Sequence, residues 1–425
     1  VQDLDALVAE LRLLVDIGEE DLANYGKRLQ RKRRPYEAVT LREVLSEAES
    51  ARLAVNRHRL PGVEVRTELK RHYPFGAVMA HAVGSVRRVT EEDLRRFDDA
   101  TNSNYSATQF IGRRGVERFY ERSLHGEVGY QRVEINAHGR ILKVLDIEPP
   151  KSGQDISLHL DSRLQIAATA ALGERRGSIV AIDPRTGGIL ALVSNPGYDP
   201  NLFVTGISTE QYQTMISSLQ TPLFNRAVNG QYSPGSTFKP VVALAGLSNR
   251  VITWEEEIED YGWFKLPNQD RIYRDWSWRQ GGGGGQGIVD MNRAIYRSSN
   301  IYFYDLATRL SIEQIGSFAR QFGIGEQLAV DVADASRGLM PDPIWKQGAK
   351  GEVWYPGDNV NVGIGQGDVL VTPLQLATMT SVLANRGKVI RPRLLKPSGE
   401  SLPPIEFDPP QPLPDVMGPS PDDWE

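Results

Sequence analysis

The sequence predicts a mixed α+β chain in two regions that meet near residue 150, the second holding an antiparallel sheet flanked by helices. Three observations carry this. The string EPPKSG at 148–153 sets two prolines and a glycine after an alternating, strand-like run, which marks a break between units. All seven tryptophans, from Trp254 to Trp424, fall after that break. Beyond it, paired strand-like runs at 177–201 are followed by a continuously apolar run after Lys239, so sheet and buried helix share the second region.

The first region opens with VQDLDALVAELRLLV, apolar at helical spacing and acidic early, an amphipathic helix. The run KRLQRKRRP at 27–35 is strongly basic. It reads as a solvated face, or as a contact for an acidic partner or membrane headgroups. Residues 65–84, VRTELKRHYPFGAVMAHAVG, read as a strand, a turn at Tyr73-Pro74 and a packed segment with no cofactor loop.

In the second region, QDISLHLDSRLQIAATAAL (154–172) reads as a strand followed by a helix. SIVAID and ILALVS, separated by Pro184 to Gly188, form a β-hairpin. The helix after Ser236 is expected to pack against that sheet. The stretch 252–290 looks inserted, and its Gly281 to Gly285 read as a flexible surface connection; with no following Lys-Ser/Thr they make no phosphate loop. The tail after Pro403 is proline-rich and acidic, an irregular extension.

Composition excludes several chemistries. The 425 residues carry a net charge of −5, which gives no reason to expect nucleic acid as a partner. Mean hydropathy is −0.37, and no stretch reaches the roughly 18 apolar residues of a membrane span. Cysteine is absent, so thiolate nucleophiles and thiolate metal sites are excluded. All six histidines precede residue 160. A serine nucleophile in the second region therefore finds its base more readily in lysine, and no metal or other cofactor is expected.

That lysine is at hand in QYSPGSTFKP (231–240). Pro234 and Gly235 break the preceding segment, and Ser236 is of a helix-capping type. On a helix, positions i and i+3 share a face, so the Ser236 hydroxyl and Lys239 amine can meet. An isolated S-x-x-K arises by chance; two further strings keep it company. IYRSSNIYFYDLA (295–307) holds Ser298-Ser299-Asn300, an S-x-N that also suits a helix N-cap. VNVGIGQGDVLVTPLQLA (360–377) combines a tight glycine backbone with a helix start at Thr372-Pro373.

S-x-x-K and S-x-N belong to the penicillin-recognising boxes, whose third member is K-T-G. With FNRAVNGQYSPGSTFKP, DPRTGGILALVSNPGYDPNLF and NVGIGQGDVLVTPLQLA, the chain resembles the class B penicillin-binding transpeptidases of the rod-elongation type. RHYPFGAVMAHAVG and RRGVERFYERSLHGEVGYQRVEINAHGR extend the resemblance into the first region. The resemblance implies a non-catalytic pedestal or head over 1–150 and a transpeptidase domain over 151–425. It implies a serine D-alanyl-D-alanine transpeptidase that cross-links peptidoglycan stem peptides and is a target of β-lactams. Ser236 would be the nucleophile and Lys239 its base. Ser298 would relay a proton to the leaving amine, and Asn300 would bind the substrate backbone and help hold Lys239. The implied partner is a membrane-embedded glycan polymerase. The implied place is the periplasmic face of the bacterial inner membrane, with an N-terminal anchor helix that this chain does not contain.

The chain departs from the pattern in one respect: no K-T-G or K-S-G follows Gly367. Lys396-Pro397-Ser398-Gly399 has an intervening proline, which would remove a ladder donor from a central strand. The third box is expected beyond Glu425, and residues 1–425 alone are expected to be inactive. A serine β-lactamase is disfavoured, because no E-x-x-L-N-type string lies between Asn300 and Gly363. A β-lactam receptor module, or an inactive scaffold for a polymerase, stays open; labelling of the longer parent protein with a fluorescent penicillin discriminates.

Overall fold

The computed structural model describes residues 4–424 apart from 31–37, 68–69, 98–100, 102–103, 106–107, 109, 137–140, 282, 333 and 398–411. Most of the basic run at 27–35, and Ser398-Gly399, lie outside the described residues.

The opening segment forms the expected helix, Leu4–Arg12. Leu7, Leu11, Leu14 and Val15 recur on one face and close a small core with Leu22, Leu53 and Leu60. The helices Glu19–Leu29 and Glu47–Val55 complete this unit; Ser46 caps the latter in a capping box with Glu49. Among the described residues no strand precedes Tyr73, and Val65 is exposed; after Gly84, β1 (Ser85–Arg88) meets β2 (Phe110–Arg114) antiparallel. Buried Tyr73 ties the two stretches, its hydroxyl accepting the Val86 N–H at 3.0 Å. A hairpin of β3 (Tyr130–Ile135) and β4 (Ile141–Glu148) follows.

The predicted hairpin of the second region is β5 (Gly177–Ile182) with β6 (Ile189–Asn195). Its turn is closed by the Gly187 N–H on the Asp183 carbonyl at 2.9 Å, with Gly187 at φ 74° where glycine alone is unstrained. The helix Ser162–Leu172, capped by Asp161, is joined to β6 through buried Gln165. That side chain accepts the Leu192 N–H at 2.8 Å and donates to the Leu192 carbonyl at 3.0 Å. The strand read just before this helix reduces to an isolated bridge, Leu158 with Leu395. The His159 and Lys396 N–H groups donate across it, to the Leu394 and Ser157 carbonyls.

The expectation that the helix after Ser236 packs on the hairpin is corrected. That helix, Lys239–Ser248, is apolar on all sides, with Val241, Val242 and Ala245 at 0 % exposure. An all-round apolar helix is stable only when enclosed. It sits inside the largest core, against the helices Asn300–Arg309 and Ile312–Gln321. The hairpin is covered instead by Ser162–Leu172 and by Pro373–Ala384.

The inserted stretch is likewise no loose loop. β7 (Ile258–Asp260) pairs with β10 (Gly287–Val289), and β8 (Trp263–Lys265) with β9 (Ile272–Arg274), giving a folded ribbon. Its glycines permit contact as well as turning: a Cβ on Gly285 would lie 2.2 Å from the Asp260 carbonyl oxygen. Phe264 and Tyr273 seat the ribbon on Tyr304, with ring centroids 5.9 and 5.6 Å away.

Packing continues across residue 150. Ala82, Val116 and Tyr120 share a core with Ile189, Leu192 and Val228. The Tyr120 hydroxyl donates to Asp331 at 2.9 Å, and that carboxylate also receives the Leu394 and Leu395 N–H groups.

Candidate active site

Three chain segments meet around the turn that carries Ser236 and Lys239. The first is the turn Gly235–Phe238, a single 3-10 turn that runs directly into the helix beginning at Lys239. Gly235 has φ 58° and its N–H donates to the Gly365 carbonyl at 2.8 Å. Ser236 caps nothing here: neither helical segment has a side-chain cap. Its side chain stands exposed, whereas Lys239 behind it is 1 % exposed.

The second segment is the break between the helices Met291–Tyr296 and Asn300–Arg309. Both readings of S-x-N hold at once, on different residues. Ser299 is the N-cap, accepting the Tyr302 N–H at 3.3 Å. Ser298 and Asn300 on either side reach Lys239. Ser298 has φ 57°, a left-handed conformation costly for a serine, and such strain persists where surrounding contacts enforce it. Here the enforcing bonds are the Ser298 and Ser299 N–H groups on the carbonyls of Ile295 and Ala294, at 3.1 and 2.9 Å.

Lys239 Nζ donates to the Ser298 carbonyl at 2.8 Å, to Ser298 Oγ at 3.1 Å and to Asn300 Oδ1 at 2.7 Å. Ser298 Oγ in turn donates to Ser236 Oγ at 2.9 Å. The direct meeting of Ser236 and Lys239 expected from i, i+3 spacing is thus replaced, in the bonds described, by a path through Ser298 Oγ. Burial lowers the Lys239 pKa to about 8, partly opposed by the carboxylates of Asp275 and Asp260, which favour the ammonium.

The third segment is the glycine run after the helix Pro356–Gly363. A Cβ on Gly365 would lie 2.2 Å from the Gly235 carbonyl oxygen, so only glycine lets this backbone press against the Ser236 turn. Reciprocal bonds at 2.9 Å join Tyr232 and Val371. The helix begins as expected: Thr372 caps Pro373–Ala384 in a capping box with Gln375. Lys396 lies elsewhere, its backbone bonded to Ser157.

Asp260 and Asp275 escaped the sequence reading. Both are buried, at 2 and 6 % exposure, and both sit on the ribbon that read as a flexible insertion. The one cue available was an acid within each of two aromatic-rich strings, IEDYGW and YRDW.

The exposed Ser236 hydroxyl, the buried Lys239 amine with its lowered pKa and the strained Ser298–Asn300 turn thus meet at the start of one enclosed helix. The chain belongs to the penicillin-binding protein family: the penicillin binding protein transpeptidase domain matches residues 177–414, and the penicillin-binding protein dimerisation domain matches 1–158. It is 41% identical over 401 residues to the peptidoglycan D,D-transpeptidase MrdA of Escherichia coli K12, covering 94% of this chain and 62% of the relative. A crystal structure of Pseudomonas aeruginosa PBP2 in complex with WCK 5153 superposes with a TM-score of 0.75 at 46% identity, covering 85% of this chain and 73% of that one. PBP2 of Helicobacter pylori, in complex with MreC, gives 0.80 at 30% identity, covering 94% and 73%. The chain spans about three fifths of the length of the curated relatives it matches.

Proposed function

We propose that the protein is a peptidoglycan D,D-transpeptidase working through a serine acyl-enzyme. The observation that carries this is the bonded series Ser236–Ser298–Lys239–Asn300 around one buried amine. Ser236 Oγ attacks the penultimate carbonyl of a D-alanyl-D-alanine peptide, the C–N bond breaks, and D-alanine leaves. With Lys239 neutral and the Ser298 hydroxyl turned to donate to Nζ, the Ser236 proton moves to Ser298 Oγ as the Ser298 proton moves to Lys239; Ser298 then gives a proton to the leaving amine and is resupplied by the Lys239 ammonium. Asn300 binds the peptide backbone and holds Lys239. The amine of a second stem peptide then takes the acyl group. A β-lactam acylates the same serine and stays attached.

Lysine's three ammonium protons match the three acceptors around Nζ. Acting as a base requires giving up one of those bonds, and a pKa near 8 keeps that step within reach at neutral pH. Residues 1–150 serve as a head that docks partners and residues 151–425 carry the chemistry. The partners are a membrane-embedded glycan polymerase and a protein like the MreC that is in complex with Helicobacter pylori PBP2, at the periplasmic face of the inner membrane. The test is labelling of the full-length protein by fluorescent penicillin, wild type against Ser236→Ala. Wild-type labelling that vanishes in the variant is expected; equal labelling of both overturns the assignment.

A further inference from the structure

We infer that Asp260 and Asp275 are positioning residues of this site: they fasten the Ser298–Asn300 turn to the inserted ribbon and supply the negative charge that compensates the Lys239 ammonium. The inference rests on the functional reading above and assigns a role to a stretch that reading leaves idle.

Asp260 closes β7 and Asp275 follows β9, and the Asp275 N–H donates to the Gly262 carbonyl at 2.9 Å, so the two acids are braced together. One Asp260 oxygen receives the Gly262 N–H at 2.7 Å; the other receives the Ser299 hydroxyl at 2.7 Å. One Asp275 oxygen receives the Asn300 N–H at 3.3 Å; the other receives Ser277 Oγ at 2.7 Å and Gln286 Nε2 at 3.1 Å. Every one of these donors is neutral. A buried carboxylate needs hydrogen bonds and, preferably, an opposite charge, and the cation these two act on is Lys239.

The turn is thereby gripped from both sides. Ser299 and Asn300 are held by the ribbon, while Ser298 and Asn300 hold Lys239. The groups that bond or stack on Lys239 Nζ carry no charge among the described residues: Ser298, Asn300 and the Phe303 ring, whose centroid is 5.5 Å away. Removing either carboxylate leaves the ammonium less favoured, so the amine sheds its proton at lower pH. A ribbon that were only a surface insertion would leave that pH unchanged.

The test is the second-order rate of penicillin acylation of the full-length protein against pH, for wild type, Asp275→Asn, Asp260→Asn and Ser299→Ala. Ser236→Ala is run in parallel to establish the nucleophile independently. With labelling at Ser236 confirmed, each Asn variant should move the acid limb of the profile to lower pH by about one unit, with a plateau lowered about tenfold. Ser299→Ala, which cuts a tether without removing charge, should lower the plateau and leave the limb in place. One soluble Asn variant suffices, because both carry the same expectation; if neither folds, a Ser299→Ala plateau within twofold of wild type overturns the inference. Unmoved limbs in the Asn variants also overturn it. Labelling that survives Ser236→Ala would fault the functional reading instead.

Discussion

Lys239 has its methylene stem and its nitrogen inside the protein, and only uncharged oxygens within bonding distance. Replacing it by arginine keeps the charge but not the ability to lose it, since a guanidinium stays protonated in proteins. Lys239→Arg should therefore acylate as slowly as Lys239→Ala, and a near-normal rate in stopped-flow labelling would rule out proton transfer through this side chain. The pH dependence has a fixed sign. Burial lowers the pKa to about 8, so the competent neutral amine accumulates as pH rises. The acylation rate should climb up to about pH 8 and level off above it; a rate that falls over that range would contradict the account. The S-x-x-K and S-x-N residues were legible because reactive side chains are few and their spacing is local. The role of Ser298 Oγ between Ser236 and Lys239 was not, because it depends on a positive φ that the tripeptide does not announce.

Two elements frame the nucleophile turn, and each offers a prediction. Gly365→Ala would drive a methyl into the Gly235 carbonyl, displacing the Ser236 turn by several tenths of an ångström or more. Because misplacement on that scale weakens catalysis severely, acylation should drop by about tenfold or more with little loss of secondary structure by circular dichroism. Phe303, fully buried beside Lys239 on Asn300–Arg309, fills the main core, and Phe303→Ala should cost about 3–5 kcal/mol in denaturant unfolding. The β5–β6 hairpin and the helix from Thr372-Pro373 were readable from turn residues, proline and alternation. The ribbon was not: each of its strands has three residues, too short to show a period, and β7 finds its partner only in β10, beyond the inner pair. Its glycines looked like a flexible tether because close approach and looseness use the same residue type. The apolar helix was recognisable as buried, but composition could not say that helices rather than the hairpin would enclose it.

Across the whole molecule, compositional change and packing mark different borders. Residues 4–63 close their own small core, tied onward by Glu43 to Lys70 and Arg88. Ala82, Val116, Tyr120 and Leu124 share a core with the hairpin. Deleting 1–63 should therefore leave acylation by penicillin within a few-fold of wild type. Deleting 1–150 should lower Tm markedly, because Ile189, Leu192 and Val228 lose their cover of Ala82, Val116 and Tyr120; equal Tm values for the two truncations, by scanning calorimetry, would show that the shared core contributes nothing. The central claim is that Ser236 becomes acylated with Lys239 as its base. Mass spectrometry of the full-length protein after brief exposure to penicillin tests it most directly. The account predicts one penicilloyl adduct per chain on the peptide containing Ser236, absent in Ser236→Ala and strongly slowed in Lys239→Arg; an adduct on another residue, or one formed at the ordinary rate in Lys239→Arg, would contradict it.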